Sequence, residues 1–235
     1  GGAHRPPRHL DDDVAELEAA EDAAPRPLDA GGLGAAALDD VQDQGALDLE
    51  LRRDVRRELQ LDLDMMVNHL IARRQPTAGD LRMIMGVAKA ITDLERVGDE
   101  AAKIARAAKW LKEKASGFRL NRIPDLRQSG ESAARMLHRS LDAFARLDGH
   151  AAASIIRDDA GIDDRFRATL RQLVTYMMED PRSISSAIDT VWAAKAIERV
   201  GDHAKNIAEH VIFIAHGADV RHASPEEVER AVSQG

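Results

Sequence analysis

The chain has 235 residues, enough for one large domain or two of ordinary size, and carries 33 basic against 41 acidic side chains, a net charge of −8. That balance argues against a nucleic-acid footprint, and the lack of cysteine excludes disulfides, thiolate metal sites and cysteine nucleophiles. The best apolar run, Val211-Ile212-Phe213-Ile214-Ala215, is far short of the roughly 20 residues that span a bilayer. No signal-peptide pattern follows the opening Gly1-Gly2, which reads as a start that is missing or trimmed.

Residues 1–46 form an irregular segment. They hold Pro6, Pro7, Pro25, Pro27 and the Gly31-Gly32-Leu33-Gly34 cluster, and their pattern supports at most short helices over about 13–23 and 35–49. Regular helical periodicity begins at Leu47 with Leu51, Val55, Leu59, Leu63, Met66, Val67, Leu70 and Ile71, and stops near Pro76. Thr77 with Asp80 resembles a capping box that opens the next helix, which runs to about Lys114. The stretch 117–124 reads as a linker. Helices follow over about 125–147, ended by Asp148-Gly149, then 151–179, ended by Pro181, then 183–217. The expected organisation is a first bundle over 47–116, a second over 124–222 and a polar tail over 223–235, with a final helical turn after Ser224-Pro225-Glu226-Glu227. Strand patterns are lacking and aromatics are only 3%, so the fold class is all-α, with long helices and tight connections that favour antiparallel bundles.

Two stretches organise this chain. Leu94-Glu95-Arg96-Val97-Gly98-Asp99 recurs, with isoleucine for leucine, as Ile197-Glu198-Arg199-Val200-Gly201-Asp202, and Ile104-Ala105 recurs as Ile207-Ala208, all at an offset of 103 residues. A repeat of that length points to duplication. Around the first copy, Ile84, Val87, Ala88, Ile91, Leu94, Ala101, Ala102 and Ala105 recur with helical spacing, which places Glu95 inside the apolar stripe and Asp99 one turn on, near its edge. A carboxylate there is costly unless paired, protonated or bound to a cation. Gly98 and Gly201 cost about 1 kcal/mol each relative to alanine, and mid-helix glycine usually marks the close approach of a backbone or ligand.

The repeat extends upstream. Setting Ile71–Pro76 against Tyr176–Pro181 gives an offset of 105 and aligns Asp54 with Asp159 and Glu58 with Asp163. Each half then holds two acid pairs four residues apart, Asp54/Glu58 with Glu95/Asp99 and Asp159/Asp163 with Glu198/Asp202. Such pairs share a helix face, so two antiparallel helices can converge four carboxylates on one spot. All-carboxylate clusters suit Mg, Mn and Fe, and zinc less characteristically, with room for more than one ion. Acids at this spacing also occur on solvated faces, and Glu95 could instead pair with an arginine.

The doubled Glu-Arg-Val-Gly-Asp, together with Ile71-Ala72-Arg73-Arg74-Gln75-Pro76-Thr77, Leu141-Asp142-Ala143-Phe144-Ala145 and Arg171-Gln172-Leu173-Val174-Thr175-Tyr176-Met177-Met178-Glu179-Asp180, resembles the PhoU family of phosphate-signalling regulators over about 47–222. The resemblance implies two pseudo-symmetric three-helix bundles whose repeated acids bind multinuclear iron or zinc, or other divalent ions, on the bundle faces rather than in a core. The metal positions it carries over are Glu95, Asp99, Glu198 and Asp202, with Asp159, Asp163, Asp54 and Glu58 behind them. It implies a cytoplasmic, non-enzymatic negative regulator of phosphate uptake, peripheral to the inner membrane. Its partners are the ATPase subunit of the phosphate ABC transporter and a phosphate-sensing histidine kinase, and a homodimer is expected; there is no nucleic-acid partner, and membrane contact comes only through partners. Asn206 extends the second site on this view, whereas Lys103, at the equivalent place, weakens the first.

Residues 1–46 depart from the family, which opens with a regular amphipathic helix. Their alanine, arginine, aspartate, glycine and proline bias is that of a high-GC gene read in a shifted frame. The expectation is a frame error upstream of about Leu47 that leaves the first bundle one helix short, and sequencing the genomic locus tests it.

The alternative reading is a metal-dependent helical-bundle enzyme, a ferritin-like oxidase or a phosphatase. Ferritin-like sites use Glu-x-x-His pairs, which the chain lacks, and no phosphate-binding Gly-x-x-x-x-Gly-Lys-Ser/Thr loop or nucleophile elbow is present. His203 and His210, seven residues apart, could assist a metal. Arg73, Arg74, Arg96 and Arg199 could bind phosphate, but the resemblance implies a salt-bridge role for them, because the family reads phosphate through the transporter.

Overall fold

The computed structural model describes residues 43–74, 76–114 and 124–234, with side chains described for 57–73, 76–111 and 126–234. Among the described residues every regular element is helical: α1 Asp43–Arg74, α2 Ala78–Lys114, α3 Pro124–Arg146, α4 Gly149–Glu179, a 3-10 turn Pro181–Ser183, α5 Ile184–His216 and α6 Pro225–Ser233. The expected linker lies almost wholly outside the described residues, as does the irregular segment up to residue 42.

Local chemistry sets the boundaries. Between α3 and α4 the chain turns on Leu147 at φ 51, and the Asp148 side chain accepts the Ala151 N–H at 2.9 Å to cap α4. Gly149 serves packing here rather than the turn, since a Cβ on it would lie 2.3 Å from Nε2 of His216 on α5. The α4–α5 connection, residues 180–183, is held by its own side chains: Asp180 accepts from Arg182 N, and Ser183 Oγ donates to the Asp180 carbonyl oxygen at 2.7 Å. α5 ends at Gly217, whose φ of 72 is the left-handed conformation that suits glycine. Thr77 Oγ1 donates to the Asp80 carboxylate at 2.7 Å where α2 begins.

α5 is the centre of the molecule. It packs against α2, α3 and α4, with Ile207, Ala208, Val211 and Ile212 fully buried. α3 lies on α4 and α5, and Ser140 Oγ sits 2.8 Å from the Ala204 carbonyl oxygen. The core joins α3, α4, α5 and α6, with Val97 and Ile104 of α2 packed against it. The expected polar tail is therefore part of this bundle: Ser224 and Glu227 close a reciprocal capping box, Val228 and Val232 of α6 enter the core, and Arg157 pairs with Glu229 at 2.9 Å.

The first half is leaner. Among the described residues α1 packs mainly on α2. Leu94 is 37% exposed, whereas its counterpart Ile197 is 7% exposed, beside Gly130 of α3. Ala101 is likewise exposed where Ala204 is buried. The position that α3 fills in the second half has no described equivalent in the first, and the expectation of a missing or frame-shifted first helix falls on residues that lie, up to 42, outside the described ones.

Candidate metal centre and the seam between the motif helices

The duplicated motif helices α2 and α5 pack antiparallel, since Gly86 meets Ile214, Asp93 meets His203, and Glu100 meets Arg199. Each helix presents two faces. One carries the predicted metal acids, and the other forms the seam between the helices.

On the outer face of the second half, Asp163 of α4 and Glu198 and Asp202 of α5 each offer a carboxylate oxygen, all within 4.8 Å of one another. The one-turn spacing of Glu198 and Asp202 stacks them, and the antiparallel hairpin brings Asp163 alongside. Gly201 permits this closeness: a Cβ there would lie 2.9 Å from Cδ1 of Ile162 and 3.8 Å from Oδ1 of Asp159. Burial raises the pKa of Asp202, and the negative charges of Glu198, Asp159 and Asp163 push the same way, against a lowering by Lys195. Lys195 bonds to Glu198 and also lies over the Phe166 ring, 5.3 Å from its centroid. The set fits a hard or borderline cation: three clustered carboxylates of which one already resists ionisation gain most from an added positive charge. Asp159 is placed differently, buried with Oδ2 accepting from Lys205 Nζ at 2.9 Å, and it is not among the three that converge.

In the first half, Glu95 and Asp99 are half-buried on α2 and Glu58 is exposed on α1. Among the described residues these three do not form a comparable cluster, and the side chain of Asp54 lies outside them.

The seam is where the structure adds most to the sequence. Asp93, 5% exposed, accepts at Oδ1 from His203 Nδ1 (2.9 Å) and Asn206 Nδ2 (3.0 Å) and at Oδ2 from His210 Nε2 (3.0 Å). Burial on its own would raise this carboxyl's pKa, but the three hydrogen bonds outweigh it and hold the group well below the usual carboxylate range. One turn pair further along, Glu100 accepts from Lys103 at 2.8 Å and lies 3.3 Å from Arg199. Asn206 and both histidines are thus turned toward α2, away from the acid cluster they were expected to extend, because positions 199, 203, 206 and 210 share the helix face opposed to α2. Arg199 is an ion-pairing residue, as the resemblance implies, and Lys103 is engaged with Glu100. Sequence reasoning missed Asp93 and Glu100, although a signal existed: Gly86, Ala90, Asp93, Val97 and Glu100 recur at spacings of four and three, a packing stripe with two acids in it.

Comparison with known proteins decides the family. The model of the PhoU domain matches residues 35–108 and 126–211. The chain belongs to the PhoU family. The match begins ahead of Leu47, where the regular pattern starts. A PhoU homolog from Burkholderia sp, described as a phosphate-specific transport system accessory protein, is 46% identical over 192 residues, 82% of each chain. The Escherichia coli K12 accessory protein PhoU is 40% identical over 175 residues, 74% of this chain and 71% of its own. Among solved structures, PhoU from Pseudomonas aeruginosa superposes with a TM-score of 0.74 at 38% identity, covering 89% of this chain and 98% of that one. The regulatory protein PhoU from Streptococcus pneumoniae gives 0.67 at 25% identity, covering 91% and 100%. The all-α, two-bundle reading of the sequence stands on these matches.

Proposed function

We propose that this PhoU-family chain is an accessory regulator of phosphate-specific transport: a negative regulator that links the transporter's ATPase subunit to a phosphate-sensing histidine kinase and self-associates as a homodimer. The observation that carries this reading is the extent of the likeness, which spans both bundles and both motif helices, to relatives described as accessory proteins of that transport system. Among the described residues no helix is long and apolar enough to cross a membrane, which fits a protein that reaches the transporter by docking. The Asp163, Glu198 and Asp202 carboxylates hold an iron or zinc ion in this reading, with magnesium or manganese as lesser candidates, and Asp159 and the first-half acids Glu95, Asp99, Asp54 and Glu58 belong to its periphery or to a second site.

Co-purification of the chain with the ATPase subunit and with the kinase, with metal analysis of the same preparation, tests this. Binding of both partners and of metal is expected. A folded, metal-loaded chain that captures neither partner contradicts the adaptor reading, and turnover of phosphate esters above background would favour an enzyme instead.

A further inference from the structure

The hairpin of α4 and α5 carries an apolar stripe on the side turned away from the core. Leu170, Val174 and Met178 follow one another at one-turn spacing on α4, and Ile184, Ile188 and Trp192 do so on α5, with exposures from 37% for Leu170 to 68% for Trp192 and 80% for Met178. The inward positions of the same helices, Leu173 and Ala187 among them, are already fully buried, so core packing does not account for the stripe. The short Pro181–Ser183 connection turns α5 back along α4, and the two helices pack on each other, so the two rows lie on neighbouring helices of one hairpin.

We propose that this α4–α5 face is the surface on which two copies of the chain meet, which rests on the homodimer part of the reading above. Two observations favour a second copy. The six side chains leave roughly 600 Å² of apolar surface exposed, at the upper end of patches found on monomers. A stable dimer buries about 800 Å² per partner, of which about two thirds is apolar in homodimers, so the stripe supplies the apolar area one copy needs. The charges bordering it also balance, Arg167, Arg171 and Arg182 against Glu179, Asp180 and Asp189, so in a chain of net charge −8 this face can meet itself without net repulsion. The equivalent face of the first half lacks this capacity. It exposes Met65, Leu81 and Met85, but Lys89 stands where the repeat places Trp192 and Arg73 where it places Met178.

Sedimentation across a concentration series of the full chain tests this, beside Trp192→Glu, Met178→Glu and, as a control on the first-half face, Met85→Glu. The expected result is a dimer whose dissociation constant rises about 30-fold or more in the two α5 and α4 variants and stays unchanged in the control. Helical circular dichroism should stay unaltered, because both substituted side chains are exposed in the single chain, while the melting temperature should follow the dimer content. A wild-type chain that stays monomeric overturns the homodimer reading itself. A dimer that survives Trp192→Glu and Met178→Glu, or that falls apart in Met85→Glu, leaves the homodimer standing and overturns this face.

Discussion

Asp93 is a buried carboxylate with three donors, all supplied by the opposite motif helix. Truncating it leaves His203, Asn206 and His210 facing an apolar gap, so Asp93→Ala is expected to cost about 3 kcal/mol in urea unfolding. Its pH dependence has a definite sign. The native carboxyl titrates below its unfolded value, so the stabilisation is fully present above about pH 4 and fades as pH falls through the native range. The unfolding midpoints of wild type and Asp93→Asn should therefore converge below about pH 4. Asp202 has the opposite character, its pKa raised by burial and by neighbouring acids. Metal-free Asp202→Asn is expected to be more stable than wild type by about 0.5 kcal/mol, since it relieves like-charge repulsion at a partly solvated site. The same variant should lose the rise in melting temperature that metal gives wild type. Destabilisation of the metal-free variant would show that Asp202 is a structural hydrogen-bonding residue instead.

At the scale of elements, two glycines of the α4–α5 pair separate conformational cost from close approach. Gly161 is exposed in the middle of α4, and nothing lies within 4 Å of a Cβ built on it. Gly161→Ala should add about 0.5–1 kcal/mol, seen as a melting point higher by roughly 2 °C. Gly201→Ala gains the same helix propensity but drives its methyl into Ile162, a core residue adjacent to Asp163. The gain should be cancelled, and displacement of α4 should weaken metal binding about tenfold in titration calorimetry. Helix positions were legible because the repeat of apolar residues and the stops at Pro76, Pro181 and Gly217 are local signals. α6 was not legible as part of the core: Val228 and Val232 are only two apolar residues, and α4 rather than their own sequence makes them buried. The seam was illegible for a related reason. His203, Asn206 and His210 read as polar residues on a motif helix, and only the antiparallel docking of α2 supplies Asp93 as the partner that explains them.

Over the whole molecule, duplication produced two motif helices that pack on each other and then diverged in charge at their shared face. Asp93 and Glu100 stand on α2, while Arg199, His203 and His210 stand on α5; the repeat partner of Asp93 is Ala196, and that of Glu100 is His203. The intrachain pairing thus sets the acids of one helix against hydrogen-bonding partners on the other, and it fixes where the acid cluster sits relative to α2. Family, fold class and the second-half acid pair were legible because they are written in a repeated pentapeptide. The departure of Asp159 was not, since its partner Lys205 comes from the facing helix. The central claim, negative regulation of phosphate uptake, is tested most directly in a strain lacking its own PhoU, by measuring a phosphate-starvation reporter in high phosphate with and without this chain. Restored repression by wild type, and its loss in the Glu198→Ala, Asp202→Ala double variant, is the result the account predicts; a stably expressed wild-type chain that leaves the reporter fully active would contradict it.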